Sequence, residues 1–155
     1  MPLSPAVFKQ VQDLRLANDY VRLRALCQRL LAKDPEDVVL NACMGQALRE
    51  ENAFARALYF AHKAAAGAPN NADLAYELAI TLWKCGRVEE GCKAAERALE
   101  LDPSGMYIHT ARIKMLEELN RFDEMVDAAS VAVERYPADI PLRCGRLDWQ
   151  RPGGP

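Results

Sequence analysis

Two histidines and five cysteines are the side chains in this sequence best suited to chemistry. Their spacing argues against it. His62 and His109 lie far apart, with no local motif that supplies a nucleophile, a base and an orienting acid together. Cys85 and Cys92 stand seven residues apart across a turn. Common zinc sites need two close pairs of ligands, with two to four residues inside a pair, and that pattern is absent. No glycine-rich phosphate loop is present either. The expectation is a chain with no catalytic residue, no metal site and no cofactor. Five cysteines is an odd number without paired spacing, and Cys27 and Cys92 fall among Ala and Leu. That pattern predicts reduced thiols, indifferent to added reductant, in a cytoplasmic setting.

The elements that would position any site are amphipathic helices. In Asn71–Pro103, apolar residues recur at Leu74, Leu78, Ala79 and Leu82, then at Gly91, Ala95, Ala98 and Leu99. Steps of three and four place each set on one helix face. Gly86-Arg87 separates the two helices. The second set is mostly small, so its helix can lie close against the first.

The unit recurs. Pro35, Pro69, Pro103 and Pro137 are each 34 residues apart. Leu14, Leu48, Leu82 and Leu116 keep the same step. So do Asn18, Asn52, Gly86 and Asn120, residues that tolerate a left-handed backbone just past a helix end. Tyr20, Phe54, Val88 and Phe122 follow two residues later. Cys27, Ala61, Ala95 and Ala129 form a small-residue column, and Leu30, Ala64, Ala98 and Ala132 another. With this period and these columns, the sequence resembles the tetratricopeptide repeat over about residues 4 to 139. The resemblance implies an all-α fold, a right-handed α-solenoid of helix-turn-helix repeats. It names an architecture and not a function.

The chain then divides into repeats at about 4–37, 38–71, 72–105 and 106–139. Ser4-Pro5 opens the first helix, with Ser as N-cap and Pro at the first helical position. The first repeat departs most from the family: Leu23 and Leu30 replace small residues, so its helices should sit further apart. Asp37 caps the second repeat. The fourth opens weakly at Ser104-Gly105. It carries Arg112 where a large apolar residue is usual and Met125 where a small one is, so either its packing loosens or Arg112 snorkels past its aliphatic stem. A short capping helix is expected at about 140–150, completing a single domain over 4–151. Residues 152–155 read as a flexible tail, or as the edge of a longer protein.

Composition narrows the partners. The formal net charge is -2, from 20 basic and 22 acidic residues, which leaves no electrostatic footprint for nucleic acid. No run of 18 apolar residues predicts membrane insertion. The first residues do not resemble a signal peptide. An incompletely capped C-terminal end would leave an apolar face through which copies could self-associate.

The interaction surface is where function is expected. The resemblance places the second, fifth, ninth and twelfth positions of each repeat on the concave side. These are Pro5, Phe8, Gln12 and Arg15; Val39, Ala42, Gln46 and Arg49; Asp73, Tyr76, Ile80 and Trp83; Tyr107, Thr110, Lys114 and Glu117. The peptide-binding set expected from them is Phe8, Gln12, Arg15, Gln46, Arg49, Tyr76, Ile80, Trp83, Tyr107 and Lys114. Large aromatics are the usual anchors of an interface. Trp83 either anchors a partner, with folding little affected by its loss, or packs on a neighbouring helix. The groove should be basic and amide-rich toward the first two repeats and apolar toward the last two. A segment with a carboxylate and bulky apolar residues would match it.

The family branch that grips the C-terminal carboxylate of heat-shock chaperones does so with a Lys and Asn set. Phe8, Gln12, Cys43, Asp73 and Glu77 stand at those places here, and none matches. The leading expectation is a non-catalytic protein-interaction scaffold. Alternatives are an export chaperone of the type III secretion kind, or a regulatory N-terminal domain of a larger enzyme.

Overall fold

The computed structural model describes residues 3–137 of the chain. They form eight α-helices and, among the described residues, no strand. The helices are α1 Pro5–Leu16, α2 Tyr20–Leu31, α3 Val38–Glu50, α4 Phe54–Gly67, α5 Ala72–Lys84, α6 Val88–Leu101, α7 Met106–Glu118 and α8 Phe122–Arg135. The ninth helix expected at 140–150 and the tail at 152–155 lie outside the described residues.

Each odd-numbered helix starts as its sequence directs. Ser4, Asp37 and Asn71 accept from the backbone N–H three residues on, at 3.4, 2.9 and 3.1 Å. These caps satisfy donors that no helical carbonyl can reach. Gly105 opens α7 without a side-chain cap, so the weak start at Ser104-Gly105 is found as expected.

The same helices end alike. Asn18, Asn52, Gly86 and Asn120 have φ of 53°, 60°, 77° and 56°. The next N–H reaches back to the repeated leucine: Asp19 to Leu14 O, Ala53 to Leu48 O, Arg87 to Leu82 O and Arg121 to Leu116 O, at 3.0, 2.8, 3.0 and 3.0 Å. This is the Schellman closure, which needs one left-handed residue just past the helix. The leucine column therefore has two tasks. Its carbonyls close the turns, and Leu48, Leu82 and Leu116 bury their side chains.

Within each helix pair, closeness is set by two facing positions. They carry Val11 and Leu23, Gly45 and Ala57, Ala79 and Gly91, Ile113 and Met125. Glycine and alanine swap sides between the second and third pairs. A methyl group on Gly45 would stand 3.4 Å from Ala57 O, and one on Gly91 only 2.9 Å from Ala79 O. So α3 lies against α4, and α5 against α6, nearly backbone to backbone. The bulk of Leu23 and Met125 keeps α1–α2 and α7–α8 less closely packed. The first repeat is looser, as expected, and of the two outcomes expected for the fourth the looser packing is found. Arg112 is half-buried and reaches Glu96 on α6 at 2.9 Å.

Successive pairs stack in order, α2 on α3, α4 on α5 and α6 on α7. One apolar cluster runs from Val11 to Ala57 and another from Ala79 to Ala128. Two polar side chains in this core share a task invisible in the sequence. Asn41 Nδ2 donates to Pro35 O at 2.9 Å and to Asp37 O at 2.8 Å. His109, two repeats later at the same position, meets Pro103 O through Nε2 at 3.1 Å. A carbonyl can only accept, so Nε2 carries a proton. Each holds the carbonyl of the proline-column residue that precedes its helix.

Candidate functional site

The odd-numbered helices lie side by side, α3 beside α5 and α5 beside α7. With α1 they form one face, and a groove with a cavity of about 600 Å³ opens along it. Its lining includes Phe8, Gln12 and Arg15 from α1, Val39, Ala42, Cys43 and Gln46 from α3, Asp73, Tyr76 and Glu77 from α5, and Tyr107 from α7. Six expected binding residues thus meet in one cavity: Phe8, Gln12, Arg15, Gln46, Tyr76 and Tyr107.

The other four stand elsewhere. Arg49 is tied down, with Nη1 donating to Glu77 Oε2 at 2.5 Å and only 11% of its side chain exposed. Ile80 is half-buried against the second core cluster. Trp83 packs on that cluster too, and its Nε1–H donates to Glu118 Oε2 on α7 at 2.6 Å. Lys114 is exposed on α7. Cys43 and Glu77 line the groove although neither is in the expected set. Both stand at the sixth position of their repeats, beside the fifth and second, so a wider stripe would have found them.

The twelfth position does one job three times. Arg15 Nε donates to Gln46 Oε1 at 3.0 Å, Arg49 reaches Glu77, and Trp83 reaches Glu118. Each side chain spans from its own helix to the next odd-numbered one. Trp83 is therefore part of the joint between α5 and α7, and its loss is expected to be felt in folding. Trp83→Ala should cost roughly 1–3 kcal/mol, less than a fully buried tryptophan because the ring is half-exposed. Urea denaturation checks this; an unchanged midpoint would show that the ring contributes nothing to the joint.

The groove is polar at one end and aromatic at the other. Arg15 pairs with a neutral amide, and no carboxylate is paired with it among the described residues. Phe8 is 44% exposed beside it, and Val39 is exposed too. At the far end Tyr76 and Tyr107 meet edge to face, with centroids 4.7 Å apart. Tyr107 donates to Asp73 Oδ1 at 2.5 Å, and the carboxylate holds the phenol proton well above its ordinary pKa. Burial pushes Tyr76 in the same direction.

Neither histidine joins this site. His62 is exposed on α4, and His109 is buried against Pro103 and Tyr136. Among the described residues, no group of three or more His, Cys, Asp and Glu could hold a metal ion. No helix among them is long and apolar enough to cross a membrane.

Known structures share this arrangement. MamA from Desulfovibrio magneticus RS-1, in its segment from residue 41 to the end, superimposes with a TM-score of 0.79 at 19% identity, over 86% of this chain and 76% of that one. Another MamA crystal structure gives 0.78 at 14% identity, over 92% and 80%. An O-GlcNAc transferase variant from Thermobaculum terrenum gives 0.76 at 22% identity, over 84% of this chain but 26% of that one. At such identities the likeness is one of fold. No curated protein matches the sequence. The tetratricopeptide repeat family model matches residues 48–118, from the end of α3 through α7. Those residues are tetratricopeptide repeat, and the run of helices from Pro5 to Arg135 is an all-α solenoid built from helix pairs of that kind.

Proposed function

We propose that the chain is a non-catalytic scaffold that binds an extended peptide or protein segment along the groove of α1, α3, α5 and α7. The observation that carries this reading is the Arg15 end. A half-buried guanidinium with a neutral partner sits on the floor, walled by the exposed Phe8 and Val39. A chain does not gain stability by exposing a phenylalanine there. A partner segment would cover it and set a carboxylate against the guanidinium. Arg49, by contrast, is already neutralised by Glu77. Large apolar residues of the partner would continue toward Tyr76 and Tyr107. The structure of the Thermobaculum terrenum transferase, of which this chain covers 26%, supports a second reading: a recognition module joined to an enzyme.

A photo-crosslinking side chain at Val39, compared with one at Tyr59 on the outward side of α4, tests the first reading in the source cell. A partner captured from Val39 and not from Tyr59 is the expected result. Phe8→Ala should then weaken that partner at least about tenfold, or 1.4 kcal/mol, with little change in folding. Arg15→Gln should flatten the salt dependence. Capture from Tyr59 alone, or equal affinity in the Phe8→Ala chain, would move the binding face elsewhere.

A further inference from the structure

The two buried cysteines of the first helix pairs share one core cluster, although they stand 16 positions apart. Cys27 on α2 is 0% exposed and Cys43 on α3 is 2% exposed. Because α2 stacks on α3, both side chains lie in one apolar cluster, near enough for each thiol to shift the other's pKa. They differ in what lies behind them. Cys27 faces the apolar core. Cys43 forms part of the groove wall, on the side where Arg15 stands. The neighbouring Cys27 thiol lowers the Cys43 pKa most; burial opposes it, the Arg15 charge adds to it, and Asp37 and Glu77 oppose it further. Cys27 is pushed the other way by the Cys43 thiol and by burial. The pair thus places one sulfur on the lining of the groove and the other behind it in the core.

We propose that Cys27 and Cys43 form an oxidation site for hydroperoxides that enter the concave groove. Cys43 sulfur attacks the outer oxygen of the peroxide. The O–O bond breaks, and the inner oxygen leaves as alcohol or water with a proton. Cys43 becomes a sulfenic acid, oxidised by two electrons as the peroxide is reduced by two. Cys27 sulfur then displaces the sulfenic oxygen, which departs as water carrying the Cys27 proton. The product is a disulfide between α2 and α3, fixed at about 2.05 Å between sulfurs. It would draw the helices together at the groove wall. Cys85 and Cys92 are internal controls. Cys85 Sγ donates to Phe54 O at 3.4 Å, and burial pushes both thiols up.

The test uses the full chain, treated with hydrogen peroxide, quenched with an alkylating reagent and mapped without reduction. The expected product is a Cys27–Cys43 linked peptide, lighter by about 2 Da for the two hydrogens lost and restored by dithiothreitol. Cys85 and Cys92 should remain alkylatable after denaturation. Cys27→Ala should stop the sequence at the sulfenic acid, trapped by dimedone on Cys43. If that variant does not fold, the wild-type map decides alone. Retention of both thiols, or a disulfide that joins either to another cysteine, would overturn the proposal. So would oxidation of Cys43 no faster than Cys85.

Discussion

Leu48→Ala is expected to destabilise the chain by about 3 kcal/mol, within the 2–5 kcal/mol usual for a fully buried leucine. Leu48 is 0% exposed, as is Leu116 two repeats on. Both lie where odd and even helices converge, so removing the side chain leaves a cavity that flanking backbone cannot fill. The carbonyls that close the turns after α3 and α7 are untouched, so the change isolates the packing. Leu116→Ala should cost about as much. Leu14 holds the same column but is only half-buried, at the edge of the first core cluster. Leu14→Ala should therefore cost about 1 kcal/mol, in proportion to the area it buries. Urea denaturation of the three variants measures this. Equal losses would mean that place in the repeat, rather than place in the stack, sets the cost.

Gly91→Ala is expected to destabilise although alanine is the better helix former by about 1 kcal/mol. The added methyl group would stand 2.9 Å from Ala79 O and 3.2 Å from Trp83 N, both backbone atoms of α5. Helix α6 would have to move away from α5, and overpacking of this kind costs roughly 1–3 kcal/mol. The joint between α5 and α7 would shift with it, since Trp83 belongs to both. Gly45→Ala is the control. Its methyl group would meet Ala57 O and Ala61 N at 3.4 Å, an ordinary contact. That variant should be neutral or gain up to about 1 kcal/mol from helix propensity. Thermal melts of the pair give the answer. A stabilised Gly91→Ala chain would show that α5 and α6 have room to spare.

Repetition made the fold legible. A 34-residue step repeated through proline, leucine, small-residue and left-handed columns leaves each two-helix unit with one way to bury its face, against its neighbours. Local chemistry sufficed as well for the caps at Ser4 and Asp37, the four left-handed turns and the loose first pair. In all of these, each residue's role depends on its own helix or the one beside it in sequence. The groove was half legible, since the second, fifth and ninth positions of a repeat point inward from any helix. Phe8, Gln12, Gln46, Tyr76 and Tyr107 met there for that reason.

Contacts between repeats are what the sequence alone could not assign. Arg15 and Arg49 hold the same place in successive repeats, yet one is paired with the neutral amide of Gln46 and the other is neutralised by Glu77. Trp83 looks like an anchor on its own helix and becomes a joint only when Glu118 arrives from α7. Asn41 and His109 look like stray polar residues until the proline carbonyls come within reach. Cys27 and Cys43 share no spacing rule and enter one core cluster because α2 stacks on α3. Helical period determines which way a side chain points; only the stacking of one repeat on the next decides what it finds there.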